Sequence, residues 1–312
     1  MSMNCAAGRQ PLIDRLPPVR GKLVAASPLR RLTWFRVGGP AEILFSPADR
    51  DDLAQFIAAK PAGVPVTMIG LGANILVRDG GIPGIVIRLG RPFTRIRVDG
   101  FQVTAGAMTL DYNVAKACQQ AAITGFEFMA GIPGTVGGGL RMNAGAYGSE
   151  FADVVETAEA IDPGGTVHKL TRADWAPHYR GSGVPEGWIF TSAVMAGRAG
   201  DQATIQAAME KVQADREASQ PIRTRTGGST FKNPEGEQAW TLIDRAGCRG
   251  LTHGKAVVSE KHCNFLINSG GATAADIEAL GEEVRARVEA ATGILLEWEI
   301  ERLGMAPGDL AV

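Results

Sequence analysis

The stretch VPVTMIGLGANILVRDGGIPGIVIRL (64–89) decides how this chain is read. Two short apolar runs, 64–70 and 84–89, are bounded by glycines, the pattern of buried strands. Between them, 69–81 is dense in small residues, so consecutive backbone N–H groups could wrap a phosphate chain. The plain alternative is a tight packed turn. Upstream, Ser46-Pro47-Ala48-Asp49 supplies an N-cap, a proline at the first helical position and an acid three residues after the cap. Leu53, Phe56 and Ile57 then recur at helical spacing, which predicts a helix over 47–60. Strand, helix and strand make the first unit α/β.

Downstream the texture changes. TRIRVDGFQVTAGA (94–107) alternates around Asp99-Gly100, a strong hairpin signal. Thr109 is placed to cap a helix with Leu110, Val114, Ala117, Cys118 and Ala121 on one face, ending at Gly125. A second hairpin over 158–171 turns on Pro163-Gly164-Gly165, and 188–197 reads as a further strand. The second unit is therefore predicted to be an antiparallel sheet with helices. Residues 201–219 form a helical connector to a third unit, with a helix over 237–246 and a strand over 263–268. A long helix opened by Thr273-x-x-Asp276 and closed by Gly293 precedes a last strand, LLEWEIERL (295–303). The divisions are 1–30 as a polar lead-in with at most a short helix, 31–92, 93–200 and 201–306.

The chain has 312 residues, 32 Lys+Arg against 33 Asp+Glu, and 45% apolar residues. Near-neutral charge argues against a main role in holding nucleic acid or an acidic membrane. Glycine, 40 of 312, is nearly twice its usual share of about 7%. Cys5, Cys118, Cys248 and Cys263 lack C-x-x-C spacing, and the four histidines form no H-E-x-x-H. No disulfide framework and no metal site are expected. The N-terminus lacks the apolar core of a signal peptide, and no run approaches a membrane span of about 20 residues, so a cytoplasmic protein is expected.

Familiar nucleotide signatures fail. G-x-G occurs at 70/72, 137/139 and 181/183, but the third glycine position holds Ile75, Met142 and Glu186. Gly-Lys at 21–22 and 254–255 is followed by Leu23 and Ala256, so there is no P-loop, and no G-x-S-x-G exists. What remains is the first loop and a second one, GIPGTVGGGLRMNAGAYG (131–148).

The order and wording of WFRVGGPAE (34–42), the two loops, GSTFKNP (228–234), SEKHCNFLIN (259–268) and LLEWEIERLG (295–304) resemble the UDP-N-acetylenolpyruvoylglucosamine reductases. This flavoenzyme family makes UDP-N-acetylmuramate for peptidoglycan. The resemblance implies an α+β chain. A two-subdomain FAD-binding fold of the vanillyl-alcohol-oxidase (PCMH) type carries a C-terminal substrate-binding domain. It also implies non-covalent FAD, NADPH as hydride donor, and UDP-N-acetylglucosamine enolpyruvate as substrate. A monomer is expected. Gly70, Leu71, Gly72, Ala73 and Asn74, with Gly131, Ile132, Pro133, Gly134 and Thr135, would line the pyrophosphate and ribityl chain. Arg36, Gly38, Asn143, Ala144 and Gly145 would lie nearby. Members commonly have Ser at Ala73 and Ala at Gly139. The short interval from Arg180 to Ser229 fits the family's second type.

Three residues match the family's catalytic positions. Arg180, in HYRGSG (178–183), offers a planar charged fork for a substrate carboxylate. Ser229 follows two glycines and would protonate an enolate-like intermediate. Parity along 295–303 puts Glu297, Glu299 and Glu301 on one face, and only the family's terminal motif selects Glu299. Tyr179, Arg225, Lys232, Asn233 and His262 are the candidate substrate contacts: Lys232 and Asn233 match family positions, Asn233 toward the UDP moiety, and Arg225, three residues before Gly228, is a candidate diphosphate partner. For each the plain alternative is an ordinary surface, turn or half-buried residue. Other readings are a flavin oxidase or dehydrogenase of a small alcohol or sugar acid, and a non-catalytic nucleotide-sugar-binding protein.

Overall fold

The structure, a computed structural model, describes residues 10–309. The first sheet comprises β1 (Lys22–Pro28), β2 (Pro40–Ser46), β3 (Val66–Met68) and β5 (Ile82–Ile87), in the order β1-β2-β5-β3. β2, β5 and β3 run parallel, and β1 is antiparallel to β2. Helix α1 (Arg50–Ala59) packs Leu53, Phe56 and Ile57 on Phe45, Ile85 and Ile87. It starts three residues later than its sequence suggests, with Asp49 rather than Ser46 as the cap. The buried Asp52 carboxylate accepts from Ala48 N–H at 2.9 Å and from Arg20 and Gly21, which holds Ala48 outside the helix. The lead-in is more structured than predicted: a 3-10 turn at Leu12–Arg15 is followed by β1. Its first nine residues, Cys5 included, lie outside the described range.

The second sheet is antiparallel throughout, in the order β9-β8-β10-β7-β6. Its strands are β6 (Ile96–Asp99), β7 (Gln102–Gly106), β8 (Val155–Ile161), β9 (Val167–Thr171) and β10 (Ile189–Ala196). Both predicted hairpins are present. Helix α2 (Asp111–Gln120) departs from expectation at both ends. Its N-cap is Leu110, because Thr109 O accepts from Val136 N–H at 3.0 Å and Asp111 N–H donates to Gly134 O at 3.2 Å. Those bonds tie 109–111 to the second glycine loop and turn the Thr109 side chain inward. The helix stops before Gly125 because Ile123–Thr124 pair with Arg198–Ala199. Three consecutive glycines of the second loop lie inside a short helix, α3 (Val136–Met142). Helix α4 (Gln202–Ser219), capped by Asp201, leads to the third unit.

That unit is a sheet in the order β11-β14-β13-β12, built from β11 (Thr226–Ser229), β12 (Thr252–His253), β13 (Ala256–Val258) and β14 (Phe265–Asn268). Helices α5 (Ala239–Arg245) and α6 (Ala274–Thr292) cover it, with Leu242, Ile277, Leu280, Val284 and Val288 in one core. The Thr273–Asp276 capping box opens α6, and Gly293, at φ 75°, closes it. The last strand is shorter than predicted. Only β15 (Glu301–Leu303) forms, and it pairs in parallel with β4 (Ile75–Val77) inside the first glycine loop. Upstream of it, Trp298 bridges to Phe231, so the predicted parity breaks. The Glu297 side chain is 77% exposed and that of Glu299 14%.

The third unit is bolted to the first. Arg78 forks onto Glu278 at 2.9 and 2.7 Å, and the Asp79 carboxylate accepts from the first N–H groups of α6, Ala274 and Ala275, at 3.0 Å each. Asn268 donates to Phe35 O at 2.8 Å. Among the described residues, no helix is long and apolar enough to cross a membrane.

Candidate functional site

The two glycine loops meet at Thr135. A Cβ on Gly70 would lie 3.3 Å from Thr135 Oγ1, and one on Gly138 3.8 Å from the same atom, with nothing else near either. Open space therefore lies over both positions. Among the described residues, the N–H groups of Gly70, Leu71, Gly72, Ala73 and Asn74 donate to no backbone carbonyl, nor do those of Gly134, Thr135 and Gly138. So many consecutive donors without a backbone partner call for an external acceptor. An anionic diphosphate suits them, because it accepts many hydrogen bonds at once. The chain therefore fits the FAD that its sequence implies. Not every small residue there faces open space. A Cβ would meet Leu32 O at 2.2 Å from Gly72, the Tyr147 ring at 2.7 Å from Gly131 and the Asp111 carboxylate at 2.7 Å from Gly134.

Arg180 and Glu299 come together from different units. Arg180 Nε lies 2.8 Å from Glu299 Oε1, with both side chains largely buried. The Nε–H does not point along that line, so the contact is an ion pair rather than an aligned hydrogen bond. Arg180 is the second residue of a two-residue turn between Pro177–His178 and Gly181–Ser182, at φ 56°. A non-glycine residue held in that region is strained, a feature that clusters at functional sites. The Arg180 guanidinium also lies over the exposed Tyr179 ring, 5.3 Å from its centroid.

Ser229 ends β11 at a bulge. Thr226 pairs with Ile267 and Ser229 with Phe265, so one extra residue is accommodated, and Gly228 takes φ 82° facing open space. The next residue, Thr230, accepts from Glu299 N–H at 2.8 Å through its carbonyl. Ser229 and Glu299 thus stand on adjoining backbones. Asn74 of the first loop completes the arrangement: its side chain donates to Glu299 O at 3.1 Å and its carbonyl accepts from Glu301 N–H at 3.0 Å. Burial pushes the Glu299 carboxyl above its ordinary range, and the cations of Arg180 and Lys232 offset this only in part. A carboxyl so placed holds a proton at higher pH than an exposed one.

Other candidates fall differently. Lys232 sits beside the triad, 3.3 Å from Glu297. Arg225 is exposed, and Arg36 is exposed with its guanidinium on Arg31 O. Asn143, expected beside the cofactor, has its buried amide engaged by Ala152 N–H and His178 O and its backbone N–H bonded to Gly139 O, so its side chain and N–H serve the local fold. Ala144 and Gly145 are likewise held by local backbone bonds and strand pairing. Gly38 packs on Val77, where a Cβ would come within 2.7 Å. Asn233 Oδ1 caps Ala239 N–H at 3.0 Å, leaving its NH₂ for a ligand. The His262 ring lies between Trp240 and Phe265, and burial lowers its basicity. Sequence reading missed Arg78, Asp79 and Asn268, whose partners are about 195 or more residues away; no local signal marks such pairs.

Residues 220–303 match the family described as UDP-N-acetylenolpyruvoylglucosamine reductase, C-terminal domain, and residues 41–171 match the FAD binding domain family. The reductase of that name from Parvibaculum lavamentivorans is 59% identical over 97% of this chain and 98% of its own length. That from Azorhizobium caulinodans is 57% identical over 94% of this chain and 96% of its own. The chain belongs to the UDP-N-acetylenolpyruvoylglucosamine reductase family. The crystal structure of the reductase from Thermus caldophilus superposes with a TM-score of 0.80 at 33% identity, covering 92% of this chain and all of that one. A reductase fold thus accounts for all three sheets. Its FAD-binding part carries both glycine loops up to residue 148, and its C-terminal part contributes Ser229 and Glu299.

Proposed function

We propose that this reductase converts UDP-N-acetylglucosamine enolpyruvate to UDP-N-acetylmuramate in the cytoplasm, as a monomer drawing on NADPH, in peptidoglycan precursor synthesis. Neither nucleic acid nor a membrane takes part. Residues 31–92, whose sheet also takes in β1 from the lead-in over 1–30, and 93–200 form the two FAD-binding subdomains, and 201–306 the substrate domain. The observation that carries the reading is the Arg180–Glu299 pair beside Ser229, next to loops whose N–H groups lack backbone acceptors.

The Gly70–Asn74 and Gly131–Thr135 segments would line the FAD diphosphate and ribityl chain. FAD, when bound, supplies the hydride that reduces the enolpyruvyl double bond at its methylene carbon. Arg180 binds the substrate carboxylate through its outer nitrogens, while its Nε stays in the close contact with Glu299. As charge develops on the carbon next to that carboxylate, the guanidinium stabilises it. Ser229 delivers the proton to that carbon through its hydroxyl. Glu299 stands beside Arg180 and, once it carries the proton that burial helps it hold, stabilises the same charge. Lys232, Asn233, Arg225, Tyr179 and His262 receive the nucleotide.

The purified protein is expected to be yellow, NADPH to bleach it without air, and the enolpyruvyl nucleotide to restore the colour. Ser229→Ala keeps the bleaching rate while slowing colour recovery about a hundredfold or more, the usual scale for a lost proton donor. Recovery only with oxygen, or equal slowing of both halves, overturns the assignment.

A further inference from the structure

Asp111 is a fully buried acid, 0% exposed, and neither carboxyl oxygen has a hydrogen-bond partner among the described residues. It stands directly under the second glycine loop. Its N–H donates to Gly134 O, and a Cβ on Gly134 would come 2.7 Å from its Oδ2. Along the bridged segment the side chains alternate: Thr109 and Asp111 point inward, while Leu110, bridged to Thr135, is 38% exposed. The Thr109 hydroxyl is buried without a partner as well.

Ionised carboxylates are not left dry and unpaired in proteins; they take up a proton instead. Burial alone drives the Asp111 carboxyl far above its ordinary range. The packed elements offer no compensating charge. Glu127, before the loop, is bound to Thr124 and Gly125; Arg97 and Asp99 on β6 pair with each other; Lys211 and Asp215 on α4 do likewise. None of these, nor Lys116 on α2 itself, acts on Asp111.

We propose that Asp111 is a positioning residue for the cofactor: an uncharged acid beneath Gly134 that sets the height of the 131–135 loop, so that losing its proton loosens FAD. This rests on the reading that the loop holds FAD. The sign follows directly. The closed loop binds the protonated form, so raising the pH ionises Asp111, a charge cannot stay in that dry site, and the loop lifts.

The test follows FAD release from the FAD-loaded full chain, by gain of flavin fluorescence and by the yellow colour retained after gel filtration, from roughly pH 6 to pH 9. Wild type is expected to release FAD faster as pH rises, by up to about tenfold per pH unit. Asp111→Asn, of the same shape but unable to ionise, flattens the curve, and Asp111→Ala flattens it at a faster overall release. A flat wild-type curve, or an Asp111→Asn curve as steep as wild type, overturns the proposal. Gly134→Ala separates the two levels: if it releases FAD faster, the loop holds the cofactor and only the coupling has failed. If it retains FAD like wild type at every pH, the loop is not the cofactor site and the coupling falls with it.

Discussion

In the first glycine loop, a Cβ on Gly70 would meet only Thr135 Oγ1, at 3.3 Å; in the second, a Cβ on Gly139 would lie 2.1 Å from Phe151 Cζ. The two segments share a composition, yet these glycines answer different needs. Gly70 leaves room and frees its N–H for something outside the chain. Gly139 lies in a helix and makes way for a fully buried ring. Phe151 accounts for the glycine at this position, because an alanine methyl would run into its ring. Glycine density alone therefore does not mark a binding loop; what matters is whether the missing side chain would meet protein or space.

Gly139→Ala should have the largest effect on stability. The Phe151 ring is fully buried where the new methyl would overlap it, and overpacking of this kind costs about 1–3 kcal/mol. Urea unfolding of the FAD-free protein measures it, and an unchanged midpoint would erase the contrast between the loops. Gly70→Ala should leave FAD-free stability within about 0.5 kcal/mol. It should weaken FAD binding about tenfold, or about 1.4 kcal/mol, because the methyl enters the cofactor's space. Equilibrium flavin titration reads this, and unchanged affinity would remove Gly70 from the site. Smallest is Gly138→Ala. Its methyl meets only Thr135 Oγ1 at 3.8 Å, so FAD-free stability should rise by about 0.5–1 kcal/mol, the helix preference of Ala over Gly. A loss in thermal melting would show that Gly138 is packed as Gly139 is.

Local features were legible where the signal is local. The 99–100 hairpin, the Thr273 capping box and the Gly293 stop all lie where their residues put them. Helix starts that depend on distant partners were not. Asp52 reaches back to Arg20 and Gly21, and Thr109 O is claimed by Val136, so both α1 and α2 begin beyond their apparent caps. The three acids of 295–303 illustrate the same limit. Period-two alternation makes them equivalent, whereas the Trp298–Phe231 bridge and the Thr230 carbonyl turn Glu299 inward and leave Glu297 in solvent.

By itself the sequence determined the class of fold, the ordered loops and the residue types that reductive chemistry needs, because those rest on periodicity, turn chemistry and motif order. Tertiary structure alone decided which glycines open onto a ligand, that Arg180 and Glu299 form a pair, and that Asp111 lies dry beneath Gly134. Each of these depends on a contact between segments distant in the chain, and desolvation and packing act through space rather than along the sequence.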